Sequence, residues 1–275
     1  MEKGVIKLLS PAKVNLGLWI RGKRPDGYHE ILTIFHAIDL CDEVFLKEGP
    51  LRVETSTGIP MQENLVYRAL IEFQRITSKE VEFSVFINKK IPEGAGLGGG
   101  SSNVAVVLKK VNELLGSPLS LEELSELLGR VSSDAPFFLT GGTAIGEGRG
   151  EILTPVKNLN LNLTLVMPQL RCSTKEVYSH VREEHLEPDI DKEYVLSLLE
   201  EKRVDVFRNR LGEVACELYS QLGEVVRFLE HLGHKALVSG SGSAVFYIGK
   251  PSPELVRGAR LRGWEVIEAK SWLGV

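Results

Sequence analysis

Between Pro92 and Asn103 the chain reads Pro92-Glu93-Gly94-Ala95-Gly96-Leu97-Gly98-Gly99-Gly100-Ser101-Ser102-Asn103, with five glycines in residues 94–100. Backbone without side chains lets N–H groups approach an anion closely. A helix opening from such a loop turns its unpaired N–H groups and the positive end of its dipole on the same anion. The flanks fit that geometry. Residues 81–89 alternate like a strand, and Val104, Val107, Leu108, Val111 and Leu115 recur on one helical face from Ser101 or Ser102 onward. The two serines add hydroxyls for phosphate, or for a magnesium ion bound to it. A Walker loop carries a Lys after its second glycine, and this segment has none; the dinucleotide spacing is not met either. The loop therefore reads as a phosphate cradle of another design. A flexible glycine hinge is the alternative, and the strand before and amphipathic helix after speak against it.

Three other segments carry chemistry-bearing residues. In Ser10-Pro11-Ala12-Lys13-Val14-Asn15-Leu16 a lysine stands among apolar residues. Lys is seldom buried without a partner, so Lys13 is either an exposed edge residue or a paired functional cation. Asp134, in Ser133-Asp134-Ala135-Pro136, is either a helix N-cap or the acid that orients an attacking hydroxyl in phosphoryl transfer. The small residues from Val238 to Ala244, Gly240 and Ser241 at their centre, make either a plain hairpin or a close backbone approach to a ligand.

Those segments need a scaffold. The chain has 275 residues, 43% of them hydrophobic and 25% charged, as in a folded globular protein. Its length suggests two domains, with a boundary near residue 155: 1–154 and 155–275. Strands are expected at 14–21, 31–37, 51–55 and 81–89, with turn chemistry at Pro25-Asp26-Gly27. Asn64 caps a helix over 65–76, and Ser120 with Glu123 forms a capping box for a helix ending near Gly129. The second half reads as strands at 161–166, 236–239, 244–248 and 265–269, and helices near 175–182, 191–201, 221–232 and 253–261. Strands and helices alternate without strict βαβ order, so the class is α+β. A net charge of −4 gives no footprint for nucleic acid. No apolar run is long enough to span a membrane, the first ten residues lack a signal-peptide core, and three scattered cysteines suit a reducing cytoplasm.

In this order and spacing, Pro11–Leu16, Pro92–Asn103 and Val238–Ala244 resemble the three motifs of the galactokinase, homoserine kinase, mevalonate kinase and phosphomevalonate kinase (GHMP) superfamily. The expanded loop, together with Arg24-Pro25-Asp26-Gly27-Tyr28-His29-Glu30, resembles the branch that phosphorylates a cytidine diphosphate-linked alcohol of non-mevalonate isoprenoid synthesis. The resemblance implies an N-terminal domain like ribosomal protein S5 domain 2, binding ATP with Mg2+, and a ferredoxin-like C-terminal domain. It implies Asp134 and Lys13 as the catalytic pair. A Lys within about 4–6 Å keeps a carboxylate ionised, and an ionised Asp accepts a hydroxyl proton. It also implies Asn15, Gly240 and Ser241 on the substrate, Tyr28 and His29 on the cytosine with Tyr178 as a second stacking face, and Asn64, Leu65 and Lys89 around the adenine. The partner is a small molecule; no metal ligand set is assigned and no protein partner is indicated. Open alternatives are a superfamily kinase for another alcohol, and a nucleotide-binding protein without catalysis.

Overall fold

The computed structural model describes residues 4–201 and 203–273. It is α+β, as expected, and groups into two compact units that interleave in sequence. The first comprises Met1–Ala12, Leu40–Pro92 and Gly98–Gly141; the second comprises Lys13–Asp39, Glu93–Leu97 and Gly142–Val275. Residues 154 and 155, where the sequence suggested a boundary, both lie in the second unit. The cause is in the first two strands. β1 (Val5–Lys23) and β2 (His29–Glu48) are each long enough to pass from one unit into the other.

In the first unit β2 pairs antiparallel with β4 (Phe83–Asn88), from Glu43 opposite Asn88 to Glu48 opposite Phe83. β3 (Arg52–Thr55) pairs parallel with β4, and α1 (Leu65–Thr77) makes the crossover between them. α1 buries Val66, Ala69, Leu70 and Phe73, the spacing of one helical face. Its start is fixed by Asn64, whose side chain accepts from Val66 N at 2.9 Å. α2 (Gly99–Leu114) packs on α1 and on α3 (Leu121–Val131), which opens with the Ser120–Glu123 capping box. α4 (Phe137–Thr140) closes the unit.

In the second unit β2 pairs with β5 (Thr143–Glu147), which forms a hairpin with β6 (Ile152–Pro155). A second, antiparallel sheet has the order β10-β7-β9-β8, from β7 (Asn162–Met167), β8 (Leu237–Val238), β9 (Val245–Ile248) and β10 (Glu265–Lys270). Helices α5 (Thr174–Ser179), α6 (Lys192–Glu200), α7 (Arg210–Leu218) and α8 (Ser220–His231) connect β7 to β8, and α9 (Pro253–Leu261) connects β9 to β10. The strand–helices–hairpin–helix–strand pattern is that of a split βαβ sheet. Its core gathers Val166, Val238 and Val245 with Val214, Leu222, Val225, Leu229 and Leu255. Among the described residues no helix is long and apolar enough to cross a membrane.

One buried polar link ties chain ends together here. His36 on β2 is fully buried, with Nδ1 2.9 Å from Thr143 Oγ1 and Nε2 2.8 Å from Ser271 Oγ. Burial pushes its pKa from 6.5 down to about 4. The unfolded chain therefore takes up a proton below pH 6.5 that the folded chain refuses. Stability from this residue is intact above pH 6.5 and is lost as pH falls towards 4, by up to about 3 kcal/mol. Thermal melts of the protein and of His36→Gln should differ in slope across that window, the variant being flatter. Parallel curves would contradict the assignment.

Candidate active site

The glycine loop alternates two residue types. Gly94, Gly96 and Gly98 have φ of 70°, 74° and 70°, in the left-handed region, while Ala95 and Leu97 between them are buried. Glycine takes that φ without the steric cost other residues meet. At Gly96 space excludes a side chain as well: a Cβ would lie 2.0 Å from the carbonyl oxygen of Ser239.

Within the second unit the three sequence motifs converge on the Gly96 carbonyl. Lys13 Nζ donates to it at 3.0 Å and Ser239 Oγ at 2.9 Å. Backbone bonds add to the hold, Lys13 N to Leu97 O at 2.9 Å and Ala244 N to Ala95 O at 3.1 Å. Lys13 is buried, so the exposed-edge reading fails. Its Nζ also donates to Asn15 Oδ1 at 2.7 Å and stands 5.5 Å from the Phe35 ring centroid. Asn15 is held in turn by Thr33, whose Oγ1 accepts from its amide at 2.7 Å. The segment 239–243 is a tight turn, with Gly242 N donating to Ser239 O at 2.9 Å, and it packs beside the first motif: a Cβ on Gly240 would come 3.4 Å from Asn15 Oδ1 and 3.6 Å from Lys13 Nζ. The Ser241 hydroxyl lies 2.8 Å from that of Thr174.

In the first unit Gly98 is the N-cap of α2, and the first helical bond runs from Ser102 N to Gly98 O at 2.9 Å. The N–H groups of Gly99, Gly100 and Ser101 precede that bond, as an anion site requires. The helix begins two residues earlier than propensity suggests. Gly99 is tolerated there because it packs on Ile91, which a Cβ would meet at 3.0 Å. Ser101 Oγ lies 2.7 Å from Ser132 Oγ, and Ala135 N donates to Ser132 O at 3.0 Å. These contacts bring the turn that carries Asp134 to the first turn of α2. Asp134 is half-buried and does not cap a helix; the N-cap of α4 is Pro136, without a side-chain bond. Ser102 is fully buried and accepts from Ser10 Oγ at 2.8 Å, while Asn103 and Lys89 join a buried network described below. The Asn64 side chain caps α1, and Leu65 lies beside Gly100, 3.5 Å from where its Cβ would be.

On the second unit's hairpin from β1 to β2, Tyr28 is exposed and lies under the Arg149 guanidinium, 4.9 Å from it. His29 stacks on Tyr178 at 5.1 Å and 20°. Burial, with Lys23 nearby, lowers the His29 pKa, favouring the neutral ring. The hairpin is braced by residues to which sequence reasoning gave no role. Arg24 pairs with Glu30 at 2.8 Å, and the other Glu30 oxygen accepts from Gly148 N at 3.1 Å. An Arg and a Glu flanking a Pro-Asp-Gly turn were the available signal.

A family model, "GHMP kinases N terminal domain", matches residues 64–142. The 4-diphosphocytidyl-2-C-methyl-D-erythritol kinase of Persephonella marina is 48% identical, over 95% of this chain and 97% of its own length. The chain belongs to the 4-diphosphocytidyl-2-C-methyl-D-erythritol kinase family. Within that family the chloroplastic protein of Oryza sativa subsp. japonica is 37% identical over 90% of this chain and 65% of its own. A crystal structure of a 4-(cytidine 5'-diphospho)-2C-methyl-D-erythritol kinase superposes with a TM-score of 0.82 at 35% identity, covering 98% of this chain and 100% of the other. The Methanococcus jannaschii mevalonate kinase, at 16% identity and a TM-score of 0.68 over 99% of this chain and all of its own, shares the fold.

Proposed function

We propose that the chain transfers the γ-phosphoryl group of ATP to the 2-hydroxyl of 4-diphosphocytidyl-2-C-methyl-D-erythritol, giving the 2-phosphate and ADP. The substrate oxygen forms a bond to the γ-phosphorus as the bond to the β-bridging oxygen breaks. The hydroxyl proton passes to Asp134, with Lys13 as its cationic partner. The observation that carries this reading is the Ser101–Ser132 contact, which sets the Asp134 turn beside the glycine-opened start of α2. The loop from Pro92 through Asn103 would receive the phosphates, and Asn64, Leu65 and Lys89 would border the adenine. Asn15, Gly240 and Ser241 would face the alcohol. Tyr28, His29 and Tyr178 would hold the cytosine by stacking and edge contacts.

Mg2+ would enter with the nucleotide and neutralise charge on its phosphates. The donor set suits an ion held mainly by phosphate and water oxygens: among the described residues no three His, Cys, Asp or Glu side chains group as a metal site, while Ser101 offers a hydroxyl at the loop. The scattered cysteines support a cytoplasmic location, and the sheet order β10-β7-β9-β8 supports a ferredoxin-like second domain.

The test is coupled ADP release with the cytidine and the uridine diphosphate conjugates. Cytosine and uracil exchange donor for acceptor at one edge, so a site built for one leaves polar groups unpaired with the other. The cytidine conjugate should have the higher kcat/KM, and Tyr28→Ala should weaken its binding by about 1–3 kcal/mol. Equal kcat/KM for the two conjugates would refute base recognition.

A further inference from the structure

Outside the three motifs, one fully buried carboxylate holds both ends of the glycine loop. Asp42, on the part of β2 in the first unit, accepts four hydrogen bonds. Its Oδ1 takes Lys90 N at 2.7 Å and Ile91 N at 2.8 Å, the backbone just before the loop. Its Oδ2 takes Lys89 Nζ, and Asn103 Nδ2 at 3.0 Å, one turn into α2 beyond the loop. Asn103 is gripped further: its Oδ1 accepts from Lys89 Nζ at 3.1 Å and its Nδ2 donates to Ser10 Oγ at 2.8 Å. Ser10 Oγ also donates to Ser102 Oγ at 2.8 Å. Asp42, Ser10 and Asn103 are buried, and the side chain of Lys89 is 6% exposed.

A loop with five glycines has little stiffness of its own. Its N–H groups bind an anion strongly only if they are already in place, because ordering them on binding consumes affinity. Charged, buried hydrogen bonds supply such rigidity and are replaced poorly by neutral ones. We infer that Asp42 is a positioning residue for the nucleotide phosphates: it locks residues 89–91 and 103 together, so that the N–H groups opening α2 are set before ATP arrives. The inference rests on the reading of Pro92–Asn103 as the phosphate site. It gives Lys89 and Asn103 a positioning role through Asp42, alongside any contact with nucleotide.

Asp42→Asn separates this role from plain stabilisation. The amide oxygen can still accept from Lys90 N and Ile91 N, but its NH2 then confronts Lys89 Nζ and Asn103 NH2, donor against donor. The side of the clamp that holds α2 is lost. With the full-length protein well below its Tm, the Kd for ATP measured by calorimetry should rise about tenfold or more, the scale of a lost charged hydrogen bond. The KM for the acceptor alcohol should move less than about twofold. Amide exchange at 99–103 should speed up without nucleotide. A lower Tm with unchanged ATP affinity and exchange would overturn the inference and leave Asp42 a stabiliser. If Asp42→Asn does not fold, Ser10→Ala loosens the same helix turn without touching an ion pair; it should raise the Kd severalfold, and an unchanged value would count against the clamp. Failure of the unmodified protein to bind ATP would instead refute the phosphate-site reading.

Discussion

Asp134→Asn should lower kcat by about 10²–10⁴-fold, the usual contribution of a general base, while ATP and the alcohol still bind. Asparagine keeps the shape and removes the charge, so the change acts on proton transfer and little on packing. A helix-capping role for Asp134 would have made the variant silent, since Asn caps as well as Asp. The structure removes that competitor by placing Pro136 at the cap of α4. Lys13→Ala should also lower kcat, with some loss of stability, because Lys13 bonds Asn15 and the Gly96 carbonyl. If Lys13 and Asp134 act as one unit, the double variant should be little worse than the worse single one. A folded Asp134→Asn enzyme with near-normal kcat would dispose of the base. Purely additive losses would dissolve the pair.

Gly96→Ala should cost about 2–5 kcal/mol, from the left-handed φ together with the forced overlap on Ser239. For a chain of this size that is a fall in Tm of about 5–15 °C. Gly263 provides the comparison. It has a similar φ of 71°, but a Cβ there meets nothing within 4 Å. Gly263→Ala should show the conformational cost alone, about 1–2 kcal/mol. Equal losses in differential scanning calorimetry would mean that the Ser239 contact gives way easily. A much larger loss at 96 would show that the loop is seated against the turn after β8.

What was legible in the sequence was mostly local. Asn64 and the Ser120–Glu123 box mark their helix starts because a cap needs only residues within one turn. The residues of the three motifs could be picked out, and Lys13 with Gly96 and Gly240 do come together. Elements with unusual composition were missed. β1 starts at Val5 and not at Val14, its early part interrupted by Ser10 and Pro11. β5 and β6 were hidden by the glycines from 141 to 150. α7 was overlooked although Asn209 caps it and Leu211, Val214, Ala215 and Leu218 have helical spacing. Asp42 carried no readable signal. Its partners stand 47 to 61 positions along the chain, and only the fold makes them neighbours.

The interleaving of the two units has a consequence for how the chain comes off the ribosome. Residues 13–39 emerge early but belong with 142–275, so most of their partners do not yet exist. His36 must wait for Thr143, and then for Ser271, 235 positions later. The unit containing 40–92 and 98–141 can complete itself sooner. Synthesis at about 5–20 residues per second would leave the apolar segment Ile31–Ile38 waiting about 5–20 seconds before Thr143 is made, and longer for the rest of its unit. That interval is where a chaperone would be most useful. A nascent chain stalled after residue 141 should therefore be trapped by a chaperone, whereas one released at full length should not.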